Sequence, residues 1–380
     1  MSGAAIIEGI ALIGVVITTI PVISDLFNPK PDSSSTTKVR LIAGDGDGTE
    51  GNVPHVTLWD RQGNNIGWTD WEKTDFKDDI LHKGQPVDLS IEQISKDSSA
   101  NGAEYLGMFA SGDNMVCISI ITVTTPTGVL YSWMGDIAKQ CGAPWFPGNV
   151  VASSGPKGEV RPACVWLDMD ETNGLKTKGI GFHLPSFQSN PAREADYGNF
   201  PDKMCKSDPR FKVYEGDGFA LQAMPYFKEP VYDPATLLDY GDKALDTSNW
   251  DKKPDIDLQD VIFPQKNKRN VTARADGEVT KALPPQQKKR PGHLVVTTFG
   301  AHSAKEVCES ETSWGPDLVN PDEGYYCDME SKTLWEVCTE GGEQTGCFDM
   351  ETNRVKTVGT MRRGRRGVNN KKYTEVRRWA

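Results

Sequence analysis

The sequence predicts a mostly β fold of antiparallel, sandwich-like sheets, with a hydrophobic N-terminal helix and few other helices. Glycine (37) and proline (24) make up about 16% of the 380 residues, a composition typical of short strands joined by tight turns. Segments rich in β-branched and aromatic residues recur along the chain. Apolar residues at helical spacing are confined to the N-terminus, which argues against long helices elsewhere.

One hairpin can be placed from local sequence. Residues 116–123 have the composition of a buried strand, and Pro126, Thr127 and Gly128 form a turn signal before the second strand at 129–133. The strand candidates of the whole first domain are 38–43, 53–59, 115–125, 129–134, 163–168 and 179–184.

Changes in composition divide the chain into six parts. One of these parts, residues 233–292, is a long connection that is rich in Asp, Lys and Pro and contains no cysteine. It has one candidate for a short helix near 235–245. The parts are a hydrophobic arm (1–27), a polar linker (28–38), a β-rich domain (39–232), an exposed charged connection (233–292), a small disulfide-stapled β region (293–353) and a basic tail (354–380).

The hydrophobic arm has three interpretations. It could be a signal peptide, although it lacks a basic start and carries Glu8 where the apolar stretch begins. It could be a membrane helix, since 21 residues span about 31 Å, and Ala5 and Gly9 would let two such helices approach closely. The third interpretation is an assembly arm or pore-forming helix that engages a neighbouring copy.

The cysteines predict a secreted or cell-surface protein. They number eight, fall four and four on either side of a cysteine-free stretch, and show no CxxC or Cys/His spacing suited to zinc. Two disulfides in each half are therefore expected, with Cys141 a candidate partner for Cys117 at the end of the hairpin. A sequon at Asn270 agrees with glycosylation on a secretory route. The disulfide-forming residues are Cys117, Cys141, Cys164, Cys205, Cys308, Cys327, Cys338 and Cys347.

An internal repeat follows two of these cysteines. Residues 327–334 (CDMESKTL) are echoed by 347–355 (CFDMETNRV), and more faintly by 164–174 (CVWLDMDETNG). Each of the two clear copies places an acidic, turn-forming stretch between a cysteine and an apolar β residue. That pattern predicts short hairpins, each stapled at its base.

The net charge of −11 is unevenly distributed. The basic tail holds ten Lys and Arg against one acid, so it carries +9 and the rest of the chain −20. Arg362, Arg363, Arg365 and Arg366 form its centre and are candidates for assembly contacts. Such a tail is attracted to the acidic body, its own or that of another copy, and to anionic membranes. Nucleic acid is an unlikely partner, because the acidic body would repel it.

Candidate ligand-binding residues are few. Trp59, Trp68 and Trp71 could stack on sugar rings, with core packing as the simpler role. Asp168 and Asp170 lie on one face of a strand and could act as paired carboxylates, although the following Thr-Asn-Gly favours a solvated turn. The sequence lacks GxSxG, HExxH and a P-loop, so no catalytic residue, metal site or cofactor is expected.

Residues 293–355, with Cys308-Glu309-Ser310 and Cys327-Asp328-Met329, resemble uncharacterised secreted-type, cysteine-containing proteins of filamentous fungi. The resemblance covers about a sixth of the chain and implies an extracytoplasmic fungal origin, without any activity or catalytic residue. The N-terminus departs from it, since a cleaner signal peptide would be expected.

Both termini differ in composition from the body of the chain. The sequence therefore favours a non-enzymatic extracellular or surface protein that assembles with copies of itself, or associates with a membrane, through these ends. Two alternatives stay open: a secreted carbohydrate-binding protein or glycoside hydrolase, and a membrane-perforating toxin.

Overall fold

The computed structural model describes residues 35–69, 80–93, 102–112, 114–155, 158–188, 190–215, 223–253, 292–339, 345–356 and 371–379. Within these ranges the fold is mostly β, with few helices, as the composition predicts. The predicted N-terminal helix lies outside the described residues. No helix in the described part of the chain has the length and apolar character needed to cross a membrane.

The described strands are short and joined mainly by turns. They are β1 (Thr36–Ala43), β2 (Gly51–Asn52), β3 (His55–Trp59), β4 (Asn65–Trp68), β5 (Ile80–Leu81), β6 (Pro86–Glu92), β7 (Tyr105–Phe109), β8 (Val116–Thr124), β9 (Leu130–Met134), β10 (Trp145–Phe146), β11 (Ser153–Gly155), β12 (Gly158–Val160), β13 (Cys164–Leu167), β14 (Thr177–His183), β15 (Phe211–Glu215), β16 (Pro225–Phe227), β17 (Trp250–Lys252), β18 (His293–Thr297), β19 (Asp317–Asn320), β20 (Tyr325–Asp328), β21 (Thr333–Val337), β22 (Cys347–Asp349), β23 (Arg354–Lys356) and β24 (Glu375–Trp379). The helices are Gly135–Gln140, Pro191–Asn199, Asp202–Cys205 and Ala304–Glu309, with 3-10 turns at Leu184–Phe187 and Thr247–Asn249.

The first domain is a sandwich of two antiparallel sheets. One sheet has the order β10-β13-β8-β1-β6, with β9 also paired to β8, and the other has the order β15-β14-β7-β3-β4. Their facing side chains form one apolar core, to which β1 contributes Leu41, β7 contributes Leu106 and β14 contributes Phe182. The predicted β8–β9 hairpin is present, with Gly128 in the left-handed conformation its turn requires.

A β-bulge in β8 decides which of its side chains leave the sandwich core. Ile120 pairs with Ile42 of β1, whereas Ile118 pairs with the very next residue, so Ser119 is the extra residue. Ile118 and Ile121 therefore both face the sandwich core. Cys117 faces the opposite side of the sheet, where it joins a second apolar cluster.

The C-terminal sheet has the order β23-β22-β21-β20-β19-β18-β24. It contains both hairpins of the sequence repeat, β20–β21 and β22–β23. In each turn an aspartate, Asp328 or Asp349, accepts backbone N–H bonds from the residues two and three positions later. Unlike the sandwich, this sheet also contains parallel pairs, since β18 runs parallel to both β19 and β24, and β21 to β22.

All eight cysteines are paired, two disulfides in each half, which fits an extracellular protein. The expected Cys117–Cys141 pair was wrong, because Cys117 faces the second apolar cluster whereas Cys141 packs against the sandwich core. The repeat hairpins are also not stapled internally: Cys327 bonds to the helix Ala304–Glu309, and the last disulfide joins one hairpin to the next. The pairs are Cys117–Cys164, Cys141–Cys205, Cys308–Cys327 and Cys338–Cys347.

The sandwich and the C-terminal sheet share a core. The second apolar cluster combines Trp145 and Trp166 of the sandwich with Trp314 and Trp379 of the C-terminal part. The indole N–H of Trp166 donates to the Trp314 carbonyl oxygen at 2.8 Å, and the two rings meet edge to face at 4.7 Å. The two β-rich regions of the sequence therefore pack as one body, although 254–291 between them lies outside the described residues.

Two predicted boundaries differ from the structure. Residues 233–253, expected to begin the connection, pack on the sandwich: β17 pairs with β16, and Asp239 binds Arg210. Residues 235–245 form turns instead of the expected short helix. At the other end, 371–379 is not a free tail, because β24 pairs with β18 along its whole length.

Candidate functional site

Of the three tryptophans proposed for sugar stacking, the structure describes Trp59 and Trp68. Trp59 has 0% exposure and packs against Tyr105 in the sandwich, so its ring is unavailable to a ligand. Trp68 is half-buried at the end of the edge strand β4. Trp71 lies outside the described residues, as do Asn270, Ala5, Gly9, Arg362, Arg363, Arg365 and Arg366.

The paired carboxylates Asp168 and Asp170 shape a turn. Asp168, at the end of β13, is buried and accepts the backbone N–H of Asn173 at 3.0 Å. Asp170 accepts the backbone N–H of Thr172, also at 3.0 Å. Burial raises the pKa of Asp168 to about 6, and the neighbouring Asp170 carboxylate acts in the same direction. These contacts are those of an acidic turn, and the turn lies on a different sheet from the tryptophans.

A buried hydrogen-bonded chain, which local sequence did not reveal, lies at the end of β14. His183 Nδ1 is 2.8 Å from Ser186 Oγ, and His183 Nε2 is 3.5 Å from a Glu104 carboxylate oxygen. Arg210 donates to the same Ser186 Oγ at 3.2 Å. When His183 donates its Nε2–H to Glu104, its Nδ1 is an acceptor, and the serine hydroxyl donates to it. Burial lowers the pKa of His183, which keeps the ring neutral and able to accept that proton.

This order of donors matches that of a serine–histidine–carboxylate triad, but access is absent. Ser186 is 1% exposed and sits in the 3-10 turn Leu184–Phe187 beneath two buried arginines. Arg210 forms a two-pronged ion pair with Asp239, and Arg193 donates to the Pro185 and Leu237 carbonyl oxygens. We therefore assign this network to fixing the turn and the 233–241 segment against the sandwich.

The C-terminal segment is held by a group that we call the lysine clamp: Lys371 with Asp317, Asp328, Tyr326 and Tyr373. The Lys371 ammonium lies 2.9 Å from an Asp317 oxygen and 2.5 Å from an Asp328 oxygen, and both aspartates are buried. Tyr373 donates to Asp317 at 2.6 Å, and Tyr326 lies 3.1 Å from the same oxygen. Burial lowers the pKa of Lys371, but the two carboxylates outweigh it and raise that pKa overall.

A second polar group, the junction cluster, lies where the sandwich meets the C-terminal sheet. It consists of Asp47 from the loop after β1, Lys83, His293 of β18, and Glu375 and Arg377 of β24. His293 Nδ1 is 3.7 Å from Asp47 Oδ2 and 3.5 Å from Glu375 Oε2. Arg377 pairs with Asp47 Oδ1, and Lys83 Nζ lies 3.4 Å from that same oxygen.

The junction cluster contains one set of possible metal ligands. One ligand atom each from Asp47, His293 and Glu375 lie within 4.8 Å of one another, the one such group found among the described residues. No local sequence pattern indicates this group, because its members are spread from residue 47 to residue 375. The pairing of β18 with β24 sets His293 opposite Glu375, and Asp47 reaches them from the loop after β1 of the sandwich.

Comparison with known proteins does not place the chain in a family. No family model and no curated protein matches it. One solved structure, a crystal structure of a LOX deletion variant, is similar over 26% of this chain and 14% of that chain, with 8% identity and a TM-score of 0.21. A match this partial carries no argument about fold or function.

Proposed function

We propose that the protein is a non-enzymatic extracellular or surface protein that assembles with copies of itself through its basic C-terminal segment, aided by the hydrophobic N-terminal arm. The proposal is supported by the charge of the chain, which is +9 over 354–380 and −20 over the rest. Opposite charges of this size attract neighbouring copies at ordinary ionic strength.

The observation that carries the proposal is the anchoring of the chain on both sides of the four arginines. β23 ends at Lys356 in the C-terminal sheet, and the lysine clamp fixes Lys371 against two aspartates of the same sheet. Arg362, Arg363, Arg365 and Arg366 stand between these two anchors. A segment whose two ends are held loses less entropy on binding a partner than a free tail does.

The described cations of this segment form ion pairs with acidic residues. Lys371 binds Asp317 and Asp328, and Arg377 binds Asp47, all within the same chain. We propose that the four arginines bind acidic side chains in the same manner, on a second copy.

The test is sedimentation velocity on the full chain at 0.05 and 0.5 M NaCl. We expect a concentration-dependent oligomer at low salt that dissociates at high salt, because screening shortens the range of charge attraction. R362A/R363A/R365A/R366A should weaken association at least tenfold, and deletion of 1–27 should weaken it further. The matched control, K268A/R269A/K289A/R290A, removes the same charge from the connection and should leave association unchanged.

Two results would overturn the proposal. A chain that stays monomeric at all concentrations has no self-assembly to explain. Binding to anionic vesicles of phosphatidylserine and phosphatidylcholine, lost in the four-arginine variant and unaccompanied by oligomers, would assign the segment to a membrane surface instead.

A further inference from the structure

We propose that Asp47, His293 and Glu375 bind a divalent transition-metal ion, preferably zinc, at the junction of the sandwich and the C-terminal sheet. This inference is independent of the self-assembly proposed above. It rests on the separation of the ligand atoms, on an unsatisfied ring nitrogen, and on the contacts that hold both carboxylates.

Two of the three separations between the ligand atoms are close to those around zinc, and the third, between the Asp47 and Glu375 oxygens, is within 4.8 Å. His293 Nδ1 lies 3.5 Å from Glu375 Oε2 and 3.7 Å from Asp47 Oδ2. Ligand atoms about 2.0–2.2 Å from a tetrahedral zinc ion are about 3.4 Å apart, close to both distances. Imidazole nitrogen with carboxylate oxygen is a ligand set that zinc accepts readily, whereas calcium and magnesium prefer oxygen alone.

The His293 ring lies beside the Asp47 and Glu375 carboxylates without forming a hydrogen bond to either. Its Nδ1 is buried and has no hydrogen-bond partner, although the ring as a whole is one-quarter exposed. A buried ring nitrogen without a partner is costly, because it has lost its bonds to water. A metal ion between this nitrogen and the two carboxylates would satisfy it.

The other oxygens of the two carboxylates are already held. Arg377 pairs with Asp47 Oδ1 and lies 3.5 Å from Glu375 Oε1, while Lys83 also faces Asp47 Oδ1. Each carboxylate thus points its remaining oxygen toward His293. Contacts of this kind orient metal ligands, and they are a regular part of metal sites.

The two cations also predict a moderate affinity. The positive charges of Lys83 and Arg377 already balance the negative charges of Asp47 and Glu375. The charge of a bound divalent ion is therefore not neutralised by the cluster. We therefore expect weaker binding than at a closed site with four protein ligands. Three protein ligands leave one position for water.

Binding would connect separate parts of the chain. Asp47 belongs to the loop after β1, whereas His293 and Glu375 face each other across β18 and β24. Because the site exists only in the folded protein, bound metal should stabilise the junction against unfolding.

The test uses the full chain, stripped with EDTA and titrated with ZnCl2 by isothermal calorimetry and thermal unfolding. We expect one zinc per chain and a rise in the melting temperature. His293→Ala and Glu375→Gln should each weaken binding at least tenfold. His82→Ala is the matched control, because His82 also faces a carboxylate, Glu50, at 3.9 Å but lies outside the cluster and should bind zinc as before.

The absorption spectrum of the Co²⁺-loaded wild type gives a readout that needs no variant. A tetrahedral nitrogen–oxygen site should give strong visible d–d bands, which one equivalent of zinc should abolish. Absence of one-to-one binding, or binding unchanged in both His293→Ala and Glu375→Gln, would overturn the proposal. Sedimentation in EDTA separates the two proposals, since self-assembly does not require the metal.

Discussion

At the scale of single residues, His302 is the clearest source of pH dependence. Its ring has 2% exposure, lies 3.0 Å from Thr297 Oγ1 through Nδ1, and meets the Trp379 ring edge to face at 5.4 Å. Burial lowers the pKa of His302 to about 4, and Arg161 acts in the same direction. The folded protein therefore keeps this ring neutral in mildly acidic solution.

We predict that His302 makes the protein less stable in acid. The unfolded chain binds the proton near pH 6.5, so the contribution of His302 is complete above that pH and falls until the folded ring protonates near pH 4. Between pH 7 and pH 4.5 the loss should be about 2.5 kcal/mol. In urea unfolding, the difference in free energy of unfolding between wild type and His302→Gln should be smaller at pH 4.5 than at pH 7 by that amount. An equal difference at both pH values would contradict the prediction. His82→Gln, which alters an exposed ring, should show no such change.

At the scale of elements, β24 depends on the lysine clamp. Asp317 and Asp328 are 5% and 1% exposed, and both direct their carboxylates at the Lys371 ammonium. Since isolated buried carboxylates are costly, the lysine must be present for them to remain charged. The clamp therefore couples Lys371, four residues before β24, to β19 and β20.

We predict that Lys371→Met lowers the free energy of unfolding by about 3–5 kcal/mol, because it leaves two buried carboxylates without their cation. Lys372→Met is the matched control: Lys372 is exposed and adjacent, so its loss should change stability by less than about 0.5 kcal/mol. Combining Lys371→Met with Asp328→Asn should recover part of the loss. Equal stability of the two single variants, measured by urea unfolding, would refute the role of the clamp.

Local elements could be predicted from sequence, and their partners could not. The β8–β9 hairpin and the two repeat hairpins depend on neighbouring residues, such as the turn at Gly128 and the carboxylates of Asp328 and Asp349. The pairing of Cys117 depends on a bulge that no local pattern indicates. The same limit applies to the junction cluster, because a ladder between β18 and β24 is needed to set His293 beside Glu375.

At the scale of the whole molecule, the shared core should make the two β regions unfold together. The second apolar cluster takes Trp145 and Trp166 from one and Trp314 and Trp379 from the other, with an indole hydrogen bond across the contact. Neither region can unfold without exposing this cluster to water.

We predict a single calorimetric transition for the full, oxidised chain at low protein concentration. The calorimetric and van't Hoff enthalpies should agree, as expected for one cooperative unit. Trp166→Ala should broaden or divide the transition, because it removes both the ring contact and the hydrogen bond to Trp314. Two separate transitions in the wild type would show that the regions are thermodynamically independent.

The order of the disulfides along the chain has a consequence for oxidative folding. In the first half the pairs interleave, since Cys117 must pass over Cys141 to reach Cys164, and Cys141 must in turn reach Cys205. In the second half the first cysteine bonds to the second and the third bonds to the fourth, so the pairs do not interleave. A chain oxidised in order of synthesis would first form Cys117–Cys141 and would then need thiol–disulfide exchange to correct it. An oxidoreductase that isomerises disulfides should therefore speed maturation of the sandwich, whereas the C-terminal sheet needs only an oxidant.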